Sequence, residues 1–361
     1  RHIDILKPIT WQTIVADEAQ ALKNPLSQRS QAACALKAEF RMITTGTPLE
    51  NNLSELWSLF RFVNPGLLGN LKTFNRRFAQ PIEQSDEDPI KAKKAAFGLK
   101  TLLKPFILRR LKSEVLTELP PRTHIDIHVP LNAQERHLYE AIRVNAVEKL
   151  AAVQKEQSIA TQRMQIFAEL TKLRQACSNP SLVSPDTDIE SSKLKQLTLL
   201  LNELRENKHK ALIFSQFIGS LQAVRTLLEA QQIPFHYIDG ATPAEQRKQS
   251  VNAFQRGEGE IFLISLKAGG SGLNLTAADY VIHLDPWWNP AVEAQASDRA
   301  HRIGQTKPVT VYRLVAEQTI EEKILALHEH KKELADKLLD EGNAIDSLSV
   351  QELLGLLKET F

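Results

Sequence analysis

The chain has 361 residues, of which 42% are hydrophobic and 24% charged, and its formal net charge is +2. This composition is typical of a globular protein long enough for two domains, and it excludes nucleic-acid binding through overall charge alone. Two distant cysteines, Cys34 and Cys177, without a CxxC pair or clustered histidines argue against a disulfide framework and a structural zinc site.

Two short β-branched and apolar runs near the start predict strands at residues 13–16 and 41–45. The first run ends at Asp17-Glu18, the second ends at the turn residues 46–48, and a helical stretch follows each one. This order predicts part of a parallel α/β sheet. Because parallel sheets are normally larger and covered on both faces, we expect further strands upstream of Arg1.

The middle of the chain is predicted to be mainly helical. Residues 53–103 fit helices with a polar break at 84–89, and the basic residues after that break indicate a solvated surface excursion. The proline pair at 120–121 predicts a linker between lobes. Residues 133–177 predict long helices, and residues 179–188 predict a loop.

The last part of the chain alternates short apolar strands with helices, at the spacing of repeated βα units. The predicted strands are residues 211–214, 235–238, 261–265, 280–284 and 309–314. Amphipathic helices are predicted over residues 320–339 and 350–357. No apolar run approaches the roughly 18 residues of a membrane span.

Asp17 and Glu18 stand where open α/β sheets bind their ligands, at the carboxyl end of a strand. An aspartate there can hold magnesium, usually through water, while the neighbouring glutamate can orient and deprotonate an attacking water. The alternative is a helix N-cap followed by a first-turn acid.

Two further segments carry turn chemistry. Residues 44–48 end the second strand with short hydroxyl side chains, which suit either a relay of the state of a bound phosphate or a simple strand-to-helix turn. Residues 265–274 are glycine-rich, and their bare amides could approach phosphate oxygens closely. This segment matches neither the P-loop nor the GxGxxG fingerprint, so a flexible turn is its alternative.

Two arginines stand three residues apart near the end of a predicted helix. The helix is predicted over about residues 290–303 from its N-cap, its first residue and the residue past its end, which are Asn289, Pro290 and Gly304. Arg299 and Arg302 would share one face, where fixed guanidiniums can neutralise charge on a transferring phosphoryl group. The alternative is compensation of the helix dipole together with an Asp298–Arg302 ion pair.

A tryptophan pair, Trp287 and Trp288, precedes this helix. The two rings could stack on a base or pack beneath the helix, and core packing is the default for at least one of them. His301 is expected to be a surface or hydrogen-bonded histidine and not a metal ligand, because no partner ligand stands at a suitable spacing.

Together, these segments resemble the SWI/SNF family of helicase-like, DNA-dependent ATPases of helicase superfamily two. The matching segments are residues 17–20 for motif II, 45–51 for motif III, 213–217 for motif IV, 268–275 for motif V and 295–305 for motif VI. Residues 64–69 and 106–110 match family phrases between the lobes. Several modest motifs in one order are a specific signal, and they cover nearly the whole chain.

The resemblance implies an α/β fold with two RecA-like lobes, each built on a parallel sheet. The first lobe is expected to be truncated at its N-terminal side, and helical insertions are expected between the lobes. The expected division is 1–114 for the C-terminal part of lobe 1 with its insertion, 115–191 for the linker and helical protrusion of lobe 2, 192–318 for the lobe 2 core, and 319–361 for bracing helices.

The resemblance also implies which residues act. Asp17 would help to hold magnesium, Glu18 would position water, and Arg299 and Arg302 would reach ATP from the second lobe as arginine fingers. The residues expected to bind ATP or to couple its hydrolysis are Thr45, Gly46, Thr47, Gly270, Gly272 and Gln295. The candidates for sequence-independent DNA contacts are Ser215, Gln216 and Lys267, with Trp287 nearby.

The implied cofactors are ATP and magnesium, and the implied partner is double-stranded DNA. Lobe closure on ATP and release after hydrolysis would move the protein along duplex DNA without separating its strands, and DNA-bound proteins are the expected remodelling targets. No membrane partner is expected. The protein would be nucleoid-associated in a prokaryotic cytoplasm or nuclear in a eukaryote, and the compact motif spacing favours a prokaryotic member.

One departure from the family pattern concerns the phosphate-cradling P-loop with its lysine. This loop precedes motif II, and nothing before Asp17 can supply it, so we expect the chain to be the downstream portion of the motor and to hydrolyse ATP poorly or not at all by itself. The rival hypothesis is a DNA- or protein-binding module that keeps the scaffold without turnover. A strand-separating helicase is a third hypothesis.

Overall fold

The computed structural model describes residues 2–45, 53–83, 88–108, 110, 115–116, 118–153, 159–269, 272–328 and 350–358. The chain divides into two compact units, the first up to Val115 and the second beginning at Leu116. Within the described ranges, no helix combines the length and the apolar character needed to cross a membrane.

The first unit contains two parallel strands, whose register runs from Thr10 opposite Lys37 to Ala16 opposite Ile43. Its elements up to this point are α1 (Ile3–Leu6), β1 (Thr10–Ala16), a 3-10 turn (Ala19–Leu22), α2 (Gln28–Ala35) and β2 (Lys37–Ile43). Both predicted strands are confirmed, although each begins earlier than predicted because polar residues at its start interrupt the apolar pattern. Buried Ala19, Leu22, Leu59 and Phe62 pack with Ile14 and Ile43.

Helices make up the rest of the first unit, as predicted for residues 53–103. They are α3 (Leu53–Val63), α4 (Leu71–Phe74), a π-helical turn (Asn75–Ala79), α5 (Gln80–Glu83), α6 (Pro89–Leu103) and a 3-10 turn (Lys104–Phe106). Helix α6 begins where the Asp88 carboxylate accepts the Lys91 amide and Pro89 takes the first position. The predicted polar break falls mostly on residues 84–87, which lie outside the described ranges.

The second unit is built on a parallel sheet. Its described strands are β3 (Arg122–Val129), β4 (Ala211–Ser215), β5 (Phe235–Ile238), β6 (Ile261–Ser265), β7 (Tyr280–His283) and β8 (Val309–Ala316), in the order β3-β8-β7-β4-β6-β5. The five strands from β4 to β8 were predicted. Strand β3 was missed because only alternate residues are Ile or Val, the pattern of an edge strand and not of a buried run.

The helices of the second unit cover both faces of this sheet. They are α7 (Ala133–Val153), α8 (Ile159–Ser178), α9 (Ser192–Glu206), α10 (Ile218–Ala230), α11 (Ala244–Gln255), α12 (Leu266–Gly269), α13 (Pro290–Ser297), α14 (320–328) and α15 (Val350–Lys358). Alternate side chains of β4 enter two separate cores, because successive strand residues point to opposite faces. Ile213 packs with Leu201 and Leu221, whereas Phe214 packs with Phe254 and Ala300.

The predicted helix over residues 290–303 is wrong at its C-terminal end, because α13 stops at Ser297. Beyond it, the amides of Arg299 and Ala300 bond to carbonyls only three residues back, and the Arg299 carbonyl accepts the Leu275 amide. The chain therefore continues as tight turns, which end at Gly304 with a φ of 101°. The predicted helix over 320–339 is described only through 328, and the C-terminal helix is confirmed.

Candidate functional site

The first acidic pair lies directly after β1. The Asp17 carboxylate accepts hydrogen bonds from the Thr44 hydroxyl at 2.5 Å and from the Glu18 amide at 2.9 Å. These two bonds lower the pKa of this exposed carboxyl below its ordinary value, in that order of importance. Asp17 is therefore ionised at neutral pH and accessible from solvent.

Glu18 adopts a left-handed backbone conformation, with a φ of 49°. For a residue with a Cβ this costs about 1 kcal/mol, and such strain is concentrated at functional sites. The Glu18 side chain accepts a 2.6 Å hydrogen bond from Gln20, whose amide oxygen in turn accepts the Thr45 hydroxyl at 3.1 Å. The ends of β1 and β2 are thus joined by side chains. Gly46 and Thr47 lie outside the described residues.

The residues around Asp17 fit a magnesium ion of the kind that nucleotides carry. Magnesium keeps several waters and is usually bound through one or two carboxylates and substrate phosphates. An exposed, ionised aspartate meets that requirement. Among the described residues, no group of three or more His, Cys, Asp and Glu side chains forms a closed metal cage.

In the second unit, an acid at the end of β7 organises the end of β4. Asp285 is buried, and it accepts the Ser215 hydroxyl and, at 3.2 Å, the Gln216 amide. Burial raises the Asp285 pKa, while Arg174 and Ser215 oppose the rise. Ser215 is only 1% exposed. The expected contact between its hydroxyl and a DNA phosphate is therefore not available in this arrangement, and Ser215 instead orients its neighbour.

Gln216 is half-buried, and its Nε2 atom is buried without a hydrogen-bond partner among the described residues. A buried amide donor without an acceptor is costly, so it is suited to meet an acceptor from a ligand. Lys267, in the single turn of α12 directly after β6, is exposed. Gln216 and Lys267 follow neighbouring parallel strands, which brings both to one edge of the sheet.

The tryptophan pair encloses a buried arginine. Arg174 of α8 is 2% exposed, its guanidinium lies over the rings of Phe217, Trp287 and Trp288 at 5.2–5.5 Å, and its Nη2 donates to the Pro286 carbonyl at 2.5 Å. Desolvation lowers the Arg174 pKa. The half-buried Trp287 ring is thus engaged in packing, the default expected for at least one of the pair.

The glycine-rich segment begins with a helical turn and not directly with a loop. The Ser265 hydroxyl accepts the Ala268 amide at 3.3 Å, which closes the turn after β6. Gly272 is exposed and has a φ of 57°, a conformation that favours glycine. The predicted ATP-coupling residue Gly270 lies outside the described residues.

The two arginines of motif VI differ in exposure. Arg299 is 5% exposed, whereas Arg302 is exposed and its Nη1 donates to the Leu273 carbonyl at 3.3 Å. Arg302 is accessible for a phosphate contact as it stands. Arg299 could make such a contact only after its guanidinium becomes exposed. Asp298 pairs with Arg122 at 2.9 Å, a partner that the i,i+4 alternative did not include. Gln295 is half-buried on α13.

Gln305 fixes the end of this segment. Its side-chain amide nitrogen lies 2.8–3.1 Å from the carbonyl oxygens of Thr276, Ala278 and Ala300, and its oxygen accepts the Thr306 and Lys307 amides. The segment that carries Arg302 is therefore held at its C-terminal end by a buried side chain.

Sequence reasoning missed the roles of Arg174 and Asp285. Asp285 had a usable signal, because it follows a strand just as Asp17 does. Arg174 had none, since an arginine within a long helix normally lies on the solvated face.

Comparison with known proteins agrees with this arrangement of motifs. Residues 1–182 match the SNF2-related domain, and residues 192–304 match the helicase conserved C-terminal domain. The chain belongs to the SNF2-related family. The α/β fold with RecA-like lobes expected from the sequence is that of SNF2 ATPase cores.

Relatives within the SNF2-related family come from bacteria and eukaryotes. The chain is 39% identical to the putative ATP-dependent helicase/translocase YwqA of Bacillus subtilis, over 96% of the chain and 38% of that protein. It is 35% identical to the human SWI/SNF-related matrix-associated actin-dependent regulator of chromatin subfamily A member 1, over 98% of the chain and 34% of that protein. The chain thus spans less than two fifths of these curated relatives.

A solved SNF2 structure is also similar. The Sulfolobus solfataricus SWI2/SNF2 ATPase core in complex with dsDNA matches with a TM-score of 0.57 and 32% identity, covering 99% of this chain and 75% of that one.

Proposed function

We propose that this chain is part of an ATP-driven translocase on double-stranded DNA, which remodels or displaces DNA-bound proteins. The observation that carries the proposal is the joined end of β1 and β2, where the ionised Asp17 accepts the Thr44 hydroxyl and the constrained Glu18 is linked through Gln20 to Thr45. This is the arrangement that phosphoryl transfer needs, with a carboxylate for magnesium, an acid to orient water and hydroxyls to relay the result.

The proposed roles follow from exposure and position. Asp17 holds magnesium through water, Glu18 orients the attacking water, and Arg302 stabilises charge on the transferring phosphoryl group. Arg299 stabilises the same charge once its guanidinium becomes exposed. The residues proposed to bind ATP or to couple its hydrolysis are Thr45, Gly46, Thr47, Gly270, Gly272 and Gln295. The proposed domain division is 1–114, 115–191, 192–318 and 319–361.

DNA contacts are proposed for Gln216 and Lys267 at the edge formed by β4 and β6. The similar Sulfolobus solfataricus ATPase core was solved in complex with dsDNA, which supports duplex DNA as the partner. Contacts to the backbone would make affinity fall with salt and depend little on sequence. The named relatives support a nucleoid-associated location in a bacterium or a nuclear one in a eukaryote.

The test is ATP hydrolysis by the full-length polypeptide, with and without duplex DNA. We expect DNA to stimulate turnover and Arg302→Ala to lower the stimulated kcat by about a thousandfold, the low end of the effect of an arginine finger. Arg256→Ala, which removes another exposed arginine of the second unit, is the control and should keep turnover.

Two outcomes would contradict the proposal. Absence of DNA stimulation would favour the binding module without turnover, and unchanged turnover in Arg302→Ala would remove the arginine from the chemistry. Unwinding of a duplex in a strand-displacement assay would favour the strand-separating helicase.

A further inference from the structure

The segment that carries Arg302 contacts the start of the second unit. We call residues 298–304 the arginine turn and residues 120–122 the connecting segment, since the latter follow the boundary between the units at Leu116. Arg122 Nη1 donates to Asp298 Oδ1 at 2.9 Å. His301 Nε2 lies 2.8 Å from the Pro120 carbonyl oxygen. Because a carbonyl only accepts, His301 donates this hydrogen bond from a protonated Nε2.

The connecting segment is itself rigidly held. The Pro121 carbonyl accepts the Val309 amide at 3.0 Å, and from Arg122 onward β3 pairs with β8 in unbroken register through Val129. Arg122 is thus the first residue of a paired strand and offers a fixed point to the arginine turn.

The arginine turn does not continue helix α13 regularly, because the amides of Arg299 and Ala300 bond to carbonyls only three residues back. Helix α13 ends at Ser297, the Leu275 amide bonds to the Arg299 carbonyl, and the Gln305 amide holds the C-terminal end of the turn. Asp298 and His301, on either side of Arg299, add side-chain contacts to a second fixed element, the connecting segment. Holding a charged group in one orientation before the reaction is a large part of catalysis of phosphoryl transfer.

We infer that Asp298 and His301 are positioning residues, which fasten the arginine turn to the connecting segment and thereby set the orientation of Arg302 toward the phosphoryl group. This inference rests on the proposed ATPase function. The side chains of Arg122 and Asp298 are 27% and 30% exposed, and an ion pair this exposed adds little to stability. Its effect should therefore appear in the rate and not in the folding.

The first test reverses the charge of one partner in the full-length polypeptide. Arg122→Glu should lower the DNA-stimulated kcat by about tenfold and leave the KM for ATP within about twofold, because ground-state binding does not depend on the turn. Adding Asp298→Arg to this variant restores the pair in the opposite sense, and kcat should return to within about threefold of the original.

The matched control is Arg205→Glu. Arg205 pairs with Glu260 at 2.5 Å, and their side chains are 33% and 38% exposed, so this pair is about as accessible as Arg122–Asp298, and no described hydrogen bond or ion pair joins it to the arginine turn. Arg205→Glu should leave kcat unchanged. An equal loss of kcat in Arg122→Glu and Arg205→Glu would mean a general structural effect and would overturn the inference.

The second test concerns the donor on His301. His301→Gln keeps an N–H donor, whereas His301→Leu removes it, so kcat should fall in the leucine variant and be largely kept in the glutamine variant. If Arg122→Glu and His301→Leu both leave kcat unchanged, the positioning role is overturned.

A readout without ATP separates failure of this inference from failure of the proposed function. Amide hydrogen exchange of the arginine turn in the full-length polypeptide should accelerate in Arg122→Glu and not in Arg205→Glu. Faster exchange in a protein that shows no ATP hydrolysis would support the attachment of the arginine turn to the connecting segment and contradict the proposed ATPase function. Unchanged exchange would contradict the attachment, whether or not the protein hydrolyses ATP.

Discussion

The hydroxyl of Ser297 fixes the protonation of a buried histidine. Ser297 donates its single hydrogen to the Glu293 carbonyl at 3.0 Å, so its oxygen is left to accept from His283 Nε2 at 2.9 Å. His283 stacks on Phe214 with ring centroids 5.5 Å apart. Burial, followed by repulsion from Arg313 and His124, lowers the His283 pKa to about 3. This histidine is therefore neutral at all physiological pH values.

The neutral histidine makes stability depend on pH. At pH values between the His283 pKa in the folded state and its value of about 6.5 in the unfolded state, only the unfolded state binds the proton. The free energy of unfolding therefore falls as the pH falls. At pH 5 this amounts to roughly 2 kcal/mol. In His283→Gln, which cannot titrate, the loss of unfolding free energy between pH 7 and pH 5 should be smaller by about that amount.

Urea unfolding followed by tryptophan fluorescence measures this difference. The exposed His137→Gln on α7 is the control and should show the same loss as the unchanged protein. Glu293, whose pKa burial raises to about 7, shifts stability in the opposite direction over pH 4.5–7, but it is present in all three proteins and cancels. If His283→Gln loses as much unfolding free energy between pH 7 and pH 5 as the unchanged protein does, His283 is not held neutral in the folded state.

At the scale of elements, α8 is fastened to the chain that follows β7. Arg174 inserts from α8 among three aromatic rings, donates to the Pro286 carbonyl and lies near the buried Asp285. Asp285 in turn positions Ser215 and Gln216 at the end of β4. Helix α8 thereby supports two of the three loops at which DNA contacts were predicted, those of Gln216 and Trp287.

Removal of Arg174 should destabilise the second unit through two effects. Arg174→Ala leaves a cavity among the rings and an uncompensated acid, and should lower the unfolding free energy by about 3–5 kcal/mol. Arg174→Met keeps most of the volume and should lose roughly half as much, because burial of a charged group is itself costly.

Chemical denaturation monitored by tryptophan fluorescence measures this loss, and Trp287 and Trp288 supply two of the four indoles that contribute to the signal. The control is Arg163→Ala on the same helix, where a half-buried guanidinium lies 5.8 Å from the Phe167 ring and the loss should stay below about 1 kcal/mol. A loss in Arg174→Ala no greater than in the control would show that the aromatic enclosure contributes little.

At the scale of the whole molecule, a net charge of only +2 means that the proposed DNA binding would depend on placed groups such as Gln216 and Lys267. The proposed catalytic residues are divided between the two units, since Asp17 and Glu18 belong to the first and Arg302 to the second. Residues 1–361 contain no Gly-Lys-Ser/Thr sequence for the β and γ phosphates.

If the proposed ATPase function is correct, residues 1–361 alone should hydrolyse ATP at least about a hundredfold more slowly than a polypeptide that also carries such a phosphate-binding sequence, because positioning of these phosphates dominates the reaction. Steady-state phosphate release at saturating duplex DNA measures both. Equal rates in the two proteins would show that groups within residues 1–361 are sufficient for turnover.

The sequence by itself determined the alternation of strands and helices and the order of the motifs. Strands β4 to β8 are short apolar runs, and Asn289 and Pro290 mark the start of α13, so local chemistry was sufficient to find them. The edge strand β3 was not predicted because five of its eight residues are polar, and its place was decided by pairing with β8 along its whole length.

Tertiary structure alone decided how the site residues are used. Local periodicity predicted a helix through residue 303, but the Leu275 amide and the Gln305 side chain hold the chain in turns after Ser297. This packing buries Arg299 and leaves Arg302 exposed, and the same kind of long-range contact turns Ser215 inward to Asp285. Except for Gln305 and Ala300, these partners are separated by tens of residues along the chain, and hydrogen bonds over such distances leave no periodic signal in the sequence.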